Sequence, residues 1–224
     1  MNFLENQKIV DRRWGELHKV SKKEAYATGI KHIGDVLKWC KEADIRMLTM
    51  WGFSLENFQR DESEIGQLFE LFKDNLQKGL ASDEKNKYDV KVKFFGRTDL
   101  FPKEIQYMIR KAEEESAKNK KYQINLLLSY GGRAEIVDAV NSILKEGIKE
   151  VDEETLSEHM YTKGLPDPDL IIRTSGEKRL SGLLPWQSTY SEFYFSEKLW
   201  PDFSKEDFED ALADYAKRKR RYGK

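Results

Sequence analysis

Cysteine is nearly absent from this sequence. The single thiol, Cys40, excludes an internal disulfide and fits a reducing compartment, so a cytoplasmic protein is expected. It sits in the helical stretch VLKWCKEA and reads as a packed thiol rather than a nucleophile. Histidine is almost as scarce, and His18, His32 and His159 lack metal-ligand spacing. No HExxH, GxSxG, Walker A or GxGxxG pattern occurs, so hydrolase and nucleotide-binding readings lack support. Signal-peptide features are missing, and no apolar run approaches the ~18 residues needed to cross a bilayer. Net charge is missing too: 39 basic against 40 acidic residues argues against a general nucleic-acid binder, and the terminal KRKRR reads as a solvated tail. The 224 residues contain no repeat, low-complexity segment or linker, so one domain spanning 1–224 is expected.

What is present is an alternation of strands and helices. IRMLTMW, VKVKFF, INLLLSY, DLIIR and EFYF read as strands, the third near-continuously apolar as when both faces are covered. Helices are expected over Ser21–Cys40, Glu62–Leu80, Lys103–Asn119, Ala134–Leu144, Val151–His159 and Asp207–Tyr215. Ser21 caps the first, with Ala25, Ile33, Val36, Leu37 and Cys40 as its apolar face and Gly29 marking a bend or a close approach. The opening MNFLENQK is polar and weakly patterned, and no strand is expected there. The fold class is therefore α/β, a mostly parallel sheet flanked by helices, with polar loops at the carboxyl ends of the strands.

Those loops carry the candidate chemistry. After Leu170–Ile172 come Arg173, Thr-Ser-Gly, Arg179 and Ser181, paired guanidinium forks and hydroxyls suited to a diphosphate. Glu192, set among aromatics, reads as the acid of a bridging Mg²⁺, or else as an ion-pair partner of Arg173 at a sheet end. Arg12, Arg13 and Trp14 form either a second phosphate loop or an exposed helix start. The segment Gly52–Arg60 reads as a polar loop whose Asn57 and Arg60 contact a ligand or simply cap a turn. Phenylalanines in Glu62–Leu80 read as core sooner than as a tunnel wall. Gly52 leaves room beside this loop, whereas Trp51 fills it.

In order along the chain, Phe53-Ser54-x-Glu56-Asn57, Asn125-x4-Tyr130-Gly131-Gly132-Arg133, Asp169-Leu-Ile-Ile-Arg173-Thr-Ser-Gly-Glu177-x-Arg179-Leu-Ser181, Trp186-Gln187, Ser191-Glu192-Phe-Tyr-Phe195 and Leu199-Trp-Pro-Asp-Phe203 make the chain resemble the cis-prenyltransferases, the undecaprenyl diphosphate synthase family. The resemblance runs from about Arg12 to the C-terminus. It implies a homodimer with a hydrophobic prenyl tunnel that joins isopentenyl diphosphate to an allylic prenyl diphosphate with Mg²⁺, forming a cis double bond. Peripheral membrane contact through a lipid product would follow. On this resemblance Arg173, Arg179 and Ser181 hold isopentenyl diphosphate and Glu192 helps hold its Mg²⁺. Arg12, Arg13 and Trp14 match the allylic diphosphate loop. Phe53, Ser54, Asn57 and Arg60 flank the reacting carbons, with Asn57, Arg173 and Glu192 as the catalytic set. Lys22 and Tyr26 stand where the family has an arginine and a histidine. Arg221 and Gly223 match an Arg-x-Gly that reaches the partner's site.

The start departs from the pattern. Counting back from Trp14, Ile9 occupies the position of the family's metal-binding aspartate, with Val10 and Asp11 after it. Either the first strand and loop are missing, or Asp11 takes over the metal role, or ordinary activity has been lost. The alternatives to regular elongation are irregular coupling of two allylic diphosphates and a non-catalytic subunit of a heteromeric enzyme.

Overall fold

The computed structural model describes the strand 2–5 and residues 12–218. In chain order the elements are β1 (Asn2–Glu5), α1 (Arg12–His18), α2 (Lys22–Glu42), β2 (Met47–Ser54), α3 (Glu62–Ala81), α4 (Glu84–Lys87), β3 (Val90–Phe95), α5 (Lys103–Ser116), β4 (Tyr122–Tyr130), α6 (Gly132–Lys145), α7 (Glu153–His159), β5 (Leu170–Arg173), β6 (Glu192–Phe195) and α8 (Lys205–Lys217). The six strands form one sheet in the order β3-β4-β2-β1-β5-β6, and every neighbouring pair is parallel. The carboxyl ends of all six therefore share one edge.

The first strand is a correction to the sequence reading. Residues of the polar octapeptide form β1, which lies between β2 and β5, with Phe3 opposite both Leu48 and Leu170. A four-residue segment with Asn and Glu has little strand preference of its own; ladder hydrogen bonds on both sides impose it. A strand therefore does occupy the place between β2 and β5. The loop 6–11, with Ile9 and Asp11, and the tail bearing Arg221 and Gly223 lie outside the described residues.

A second correction concerns β2. It does not end at Trp51 but runs through Ser54 and passes into a 3-10 turn over Leu55–Gln59. The pairing slips at Gly52: Trp51 faces Leu127 in register, and Phe53 already faces Leu128. A bulge adds one residue and so reverses which face the following side chain takes. Trp51 consequently packs with Leu127, Tyr130, Ile171 and Leu184, whereas Phe53 joins Tyr26, Leu68, Phe101 and Ile105 beneath α2, α3 and α5. The expectation that Trp51 fills the space beside Gly52 fails for this reason, because the two side chains serve opposite faces.

α2 is capped as expected, Ser21 Oγ accepting from the Glu24 backbone N–H at 3.2 Å. Gly29 is a close-approach glycine: the Trp200 indole donates to its carbonyl at 2.7 Å. Trp200, Phe203 and Phe208 then fill the core that α2 and α8 share with Leu48, Met50, Leu170 and Ile172.

Candidate active site

Two groups of charged side chains meet at the carboxyl edge, and α1 joins them. The first gathers around Glu64, in the first turn of α3. Its side chain is 4% exposed. Its carboxylate accepts from the Arg12 guanidinium, from Lys22 Nζ at 3.0 Å, from the Tyr26 hydroxyl at 2.7 Å and from Arg60 Nη1 at 2.9 Å. Burial alone would push the Glu64 carboxyl up, but the hydrogen bonds from Arg12, Tyr26 and Lys22 outweigh it and hold the group down at about 2. The same contact raises Arg12, and burial beside Glu64 raises the Tyr26 phenol. Glu64 is thus a permanent anion that fixes three cations. The sequence reading missed it, because an acid in the first turn of a helix reads as an ordinary complement to the helix dipole. The signal that could have found it is the Arg60–Glu64 spacing of four residues beside a motif rich in Arg and Asn.

The second group is the loop after β5. Arg173 ends the strand and is 7% exposed, and Thr174 and Ser175 are also buried. Ser175 and Gly176 both have positive φ (75° and 68°), as do Ser181 and Gly182 (53° and 87°). Non-glycine residues are uncommon there. The loop is tied down by Ser175 N donating to the Lys198 carbonyl at 2.6 Å and Gly176 N to the Ser196 carbonyl at 2.9 Å. Arg13 donates to the Ser175 carbonyl and to Glu177, each at 3.1 Å, and Arg179 meets Glu177 at 2.5 Å. The Gly131-Gly132 turn closes the far side: Gly132 N donates to the Gly182 carbonyl at 2.8 Å, and a Cβ on Gly132 would stand 2.1 Å from Pro185 Cδ.

The structure accordingly brings Arg12, Arg13, Lys22, Tyr26, Arg60, Arg173, Arg179 and Ser181 to one edge. Glu64 is shared by Arg12, Lys22 and Arg60, and Glu177 by Arg13 and Arg179, and carboxylates outnumbered by their own cations suit diphosphate groups. Asn57, buried, accepts from the Ser54 backbone N–H at 2.8 Å and shapes the turn after β2. Trp14 anchors α1, its indole donating to Asp202 at 2.8 Å and stacking on His18. Of the two readings of Arg12–Trp14, the segment is a helix start whose arginines nevertheless reach the anion-suited loops.

Glu192 is not brought to this edge. It opens β6 opposite Leu170, whereas Phe195 is opposite Arg173, so three residues, roughly 10 Å of strand, separate it from the arginine loop. Its carboxylate accepts from Arg218 Nη1 at 2.7 Å. The alternative of a Glu192–Arg173 ion pair is replaced by this one. No group of three His, Cys, Asp or Glu side chains able to hold a metal occurs among the described residues.

Behind the edge lies a cavity of about 760 Å³. Its wall alternates along the strands, with Val90, Val92 and Phe94 of β3 and Ile124, Leu126 and Leu128 of β4, and it is closed by Ile33, Leu37, Phe72 and Leu76 of α2 and α3. Gly52 lines it near the carboxyl edge and Tyr122 near the amino edge. From Tyr122 to Leu128 it is six strand steps, roughly 20 Å deep. Phe72 serves both this wall and the Phe53–Phe101 ring cluster, so the choice between core and tunnel resolves as both. No helix among the described residues is long and apolar enough to cross a membrane.

Comparison with known proteins agrees with this geometry. Residues 10–223 match the family model described as putative undecaprenyl diphosphate synthase. The chain is 42% identical over 223 residues to the tritrans,polycis-undecaprenyl-diphosphate synthase (geranylgeranyl-diphosphate specific) of Thermoplasma acidophilum, covering 96% of this chain and 85% of that one. It is 42% identical over 224 residues to the isoprenyl transferase of Thermus thermophilus, with the same coverage. Among solved structures, lavandulyl diphosphate synthase from Lavandula x intermedia in complex with dimethylallyl diphosphate superposes with a TM-score of 0.90 at 32% identity, covering 99% of this chain and 97% of that one. A probable undecaprenyl diphosphate synthase from Campylobacter jejuni gives 0.81 at 30% identity, covering 100% and 99%.

Proposed function

The chain belongs to the undecaprenyl diphosphate synthase family of prenyltransferases, and from that premise we propose how its own residues carry out the transfer and what product they make. The activity is that of a cis-prenyltransferase, which condenses isopentenyl diphosphate with an allylic diphosphate. The allylic carbon–oxygen bond breaks, diphosphate leaves, a carbon–carbon bond forms to isopentenyl diphosphate, and one proton is lost from it.

In our assignment Arg12, Arg13, Lys22 and Arg60 take the allylic diphosphate, and Arg173, Arg179 and Ser181 take isopentenyl diphosphate. Glu64 holds Arg12, Lys22 and Arg60, and Glu177 holds Arg13 and Arg179, before substrate arrives, so little reorganisation is needed as charge moves onto the departing diphosphate. Tyr26 donates to Glu64 and stiffens that group. Asn57, with Phe53 and Ser54, sets the turn beside the reacting carbons. Magnesium binds through one or two carboxylates plus substrate phosphate oxygens, and the cation-rich edge suits the phosphate half of that set. Asp11, which precedes α1 in the sequence, would hold it, whereas Glu192, three residues back along β6 and bonded to Arg218, is withdrawn from that role. When bound, the ion neutralises the leaving group's charge. Assembly as a homodimer, with Arg221 and Gly223 reaching the partner's site, is part of the same proposal.

We further assign regular elongation rather than irregular coupling of two five-carbon units. The observation that carries this is the depth of the cavity. Four main-chain bonds of about 1.5 Å make an isoprene unit roughly 5 Å long, so ~20 Å of apolar wall holds about four units. A coupling enzyme for five-carbon substrates would not need it. The Thermoplasma acidophilum relative is named as geranylgeranyl-specific, and a four-unit primer fits this length. The test is a radiolabelled assay with Mg²⁺, pairing isopentenyl diphosphate with dimethylallyl, geranyl, farnesyl or geranylgeranyl diphosphate. The expected result is a polyprenyl product with the longest primer favoured. Product from dimethylallyl diphosphate alone would overturn elongation.

A further inference from the structure

Two chains of buried polar side chains approach each other on the face of the sheet that carries Trp51 and Leu127. Side chains alternate along a strand, so Thr49 shares that face with Trp51, and Asn125 shares it with Leu127. Gln123 Nε2 donates to Asn125 Oδ1 at 2.8 Å, and Asn125 Nδ2 donates to Thr49 Oγ1 at 3.0 Å. The second chain comes from α6 and from the segments flanking β5. The Tyr130 hydroxyl and the Thr162 backbone N–H donate to Glu135, and Gln187 Nε2 donates to Glu135 Oε2 at 3.2 Å and to Thr162 Oγ1 at 2.7 Å. A carboxylate needs donors, so the Gln187 amide must aim its NH2 at Glu135, which turns its oxygen the other way. Gln187 is 5% exposed, and that oxygen meets no donor among the described residues.

Between the two chains lies a cavity of about 10 Å³, lined by Thr49, Thr162, Gln187, Pro168, Leu184 and Phe95 among others. That is about the volume one water needs. No charged side chain lines it, so a neutral molecule that both accepts and donates is what fits. The Thr49 hydroxyl, already accepting from Asn125, keeps its own hydrogen to give, and Gln187 Oε1 is there to receive one. These two groups supply the minimum set of partners for a buried water. We propose that this cavity is an internal water site, in which one water accepts from Thr49 Oγ1 and donates to Gln187 Oε1. The water completes a hydrogen-bonded chain from Gln123 to Tyr130. Its place gives it a task, because residues 162–168 lead directly into β5 and Arg173, and Leu184 and Gln187 follow Ser181. Both flanks of the arginine loop therefore meet at this cavity, and the water ties them to β2. The inference holds whichever substrate the loop binds.

The test is a crystal structure of the whole chain at a resolution that places ordered waters, with magnetic relaxation dispersion of the water oxygen to read long-lived internal water in solution. Density for one water is expected at about 2.7–3.2 Å from both Thr49 Oγ1 and Gln187 Oε1. Thr49→Ser keeps the hydroxyl and should keep the water. Thr49→Val keeps the shape, removes the donor and should lose it, and the dispersion signal should fall by the share of one long-lived water. The wild-type measurement decides even where Thr49→Val does not fold. A wild-type cavity without water, a water touching only one of the two side chains, a protein donor on Gln187 Oε1, or a Thr49→Val variant that retains the water would each overturn the proposal.

Discussion

Replacing Glu64 with glutamine tests the arrangement at its centre, because the change keeps size and shape and removes only the charge that Arg12, Lys22 and Arg60 share. The carboxyl is held at about 2 in the folded protein against an ordinary 4.5, which by linkage corresponds to roughly 3 kcal/mol. Arg12 and Lys22 are 41% and 55% exposed, and solvent screening at that end trims the expectation to about 2 kcal/mol. The sign follows from the lowered folded value. Above pH ~4.5 the group is ionised in both states and the full advantage is present. As pH falls from there toward ~2 the unfolded chain takes up its proton first, and the advantage fades. Urea unfolding of wild type and Glu64→Gln should therefore differ by about 2 kcal/mol at pH 7, equivalent to roughly 4–8 °C in melting temperature, and converge as the pH falls to about 2. The allylic KM should rise at pH 7, since three cations lose their common anchor. A stability difference that stays constant with pH would refute the electrostatic argument, and an unchanged KM would refute the positioning role.

Three further outcomes follow from the same geometry. Gly132→Ala should cost about 2–4 kcal/mol by chemical denaturation, because its Cβ would fall 2.1 Å from Pro185 and 2.6 Å from the Gly182 carbonyl; wild-type stability would mean the turn is free to move. Ile124→Trp, on the amino-edge half of the cavity wall, should shorten the products seen on reversed-phase chromatography, and an unchanged length distribution would show that the chain does not run there. Arg173→Ala should lower kcat/KM for isopentenyl diphosphate by about 10²–10³-fold, and near-wild-type turnover would remove this residue from the substrate site.

Much of the architecture was legible because most strands announce themselves by runs that need no context. INLLLSY is apolar on both faces and became the nine-residue β4 between two neighbours. DLIIR ended at the arginine the loop argument required. What escaped the sequence was decided by partners rather than by local preference. β1 exists because β2 and β5 flank it. Trp51 and Phe53 part company because one bulge at Gly52 reverses the pleat, and alternation counted through that position assigns the wrong face. Glu64 was hidden because its four partners come from α1, α2 and the turn before α3, up to 52 residues away.

The adjacent pair Arg12-Arg13 shows how the site depends on such context. As neighbours in a motif they read as one basic loop with one ligand. On a helix, successive side chains point about 100° apart and do not face the same partner. Arg12 therefore turns to Glu64 and Arg13 to Glu177, 113 positions apart in the chain. One turn of α1 thereby couples the group assigned to the allylic diphosphate to the group assigned to isopentenyl diphosphate. Trp14, bonded to Asp202, fixes the rotation of that turn. A loop conformation at 12–13 would have left both arginines on one anchor; the helix gives the pair two, Glu64 and Glu177, while both stay assigned to the allylic diphosphate.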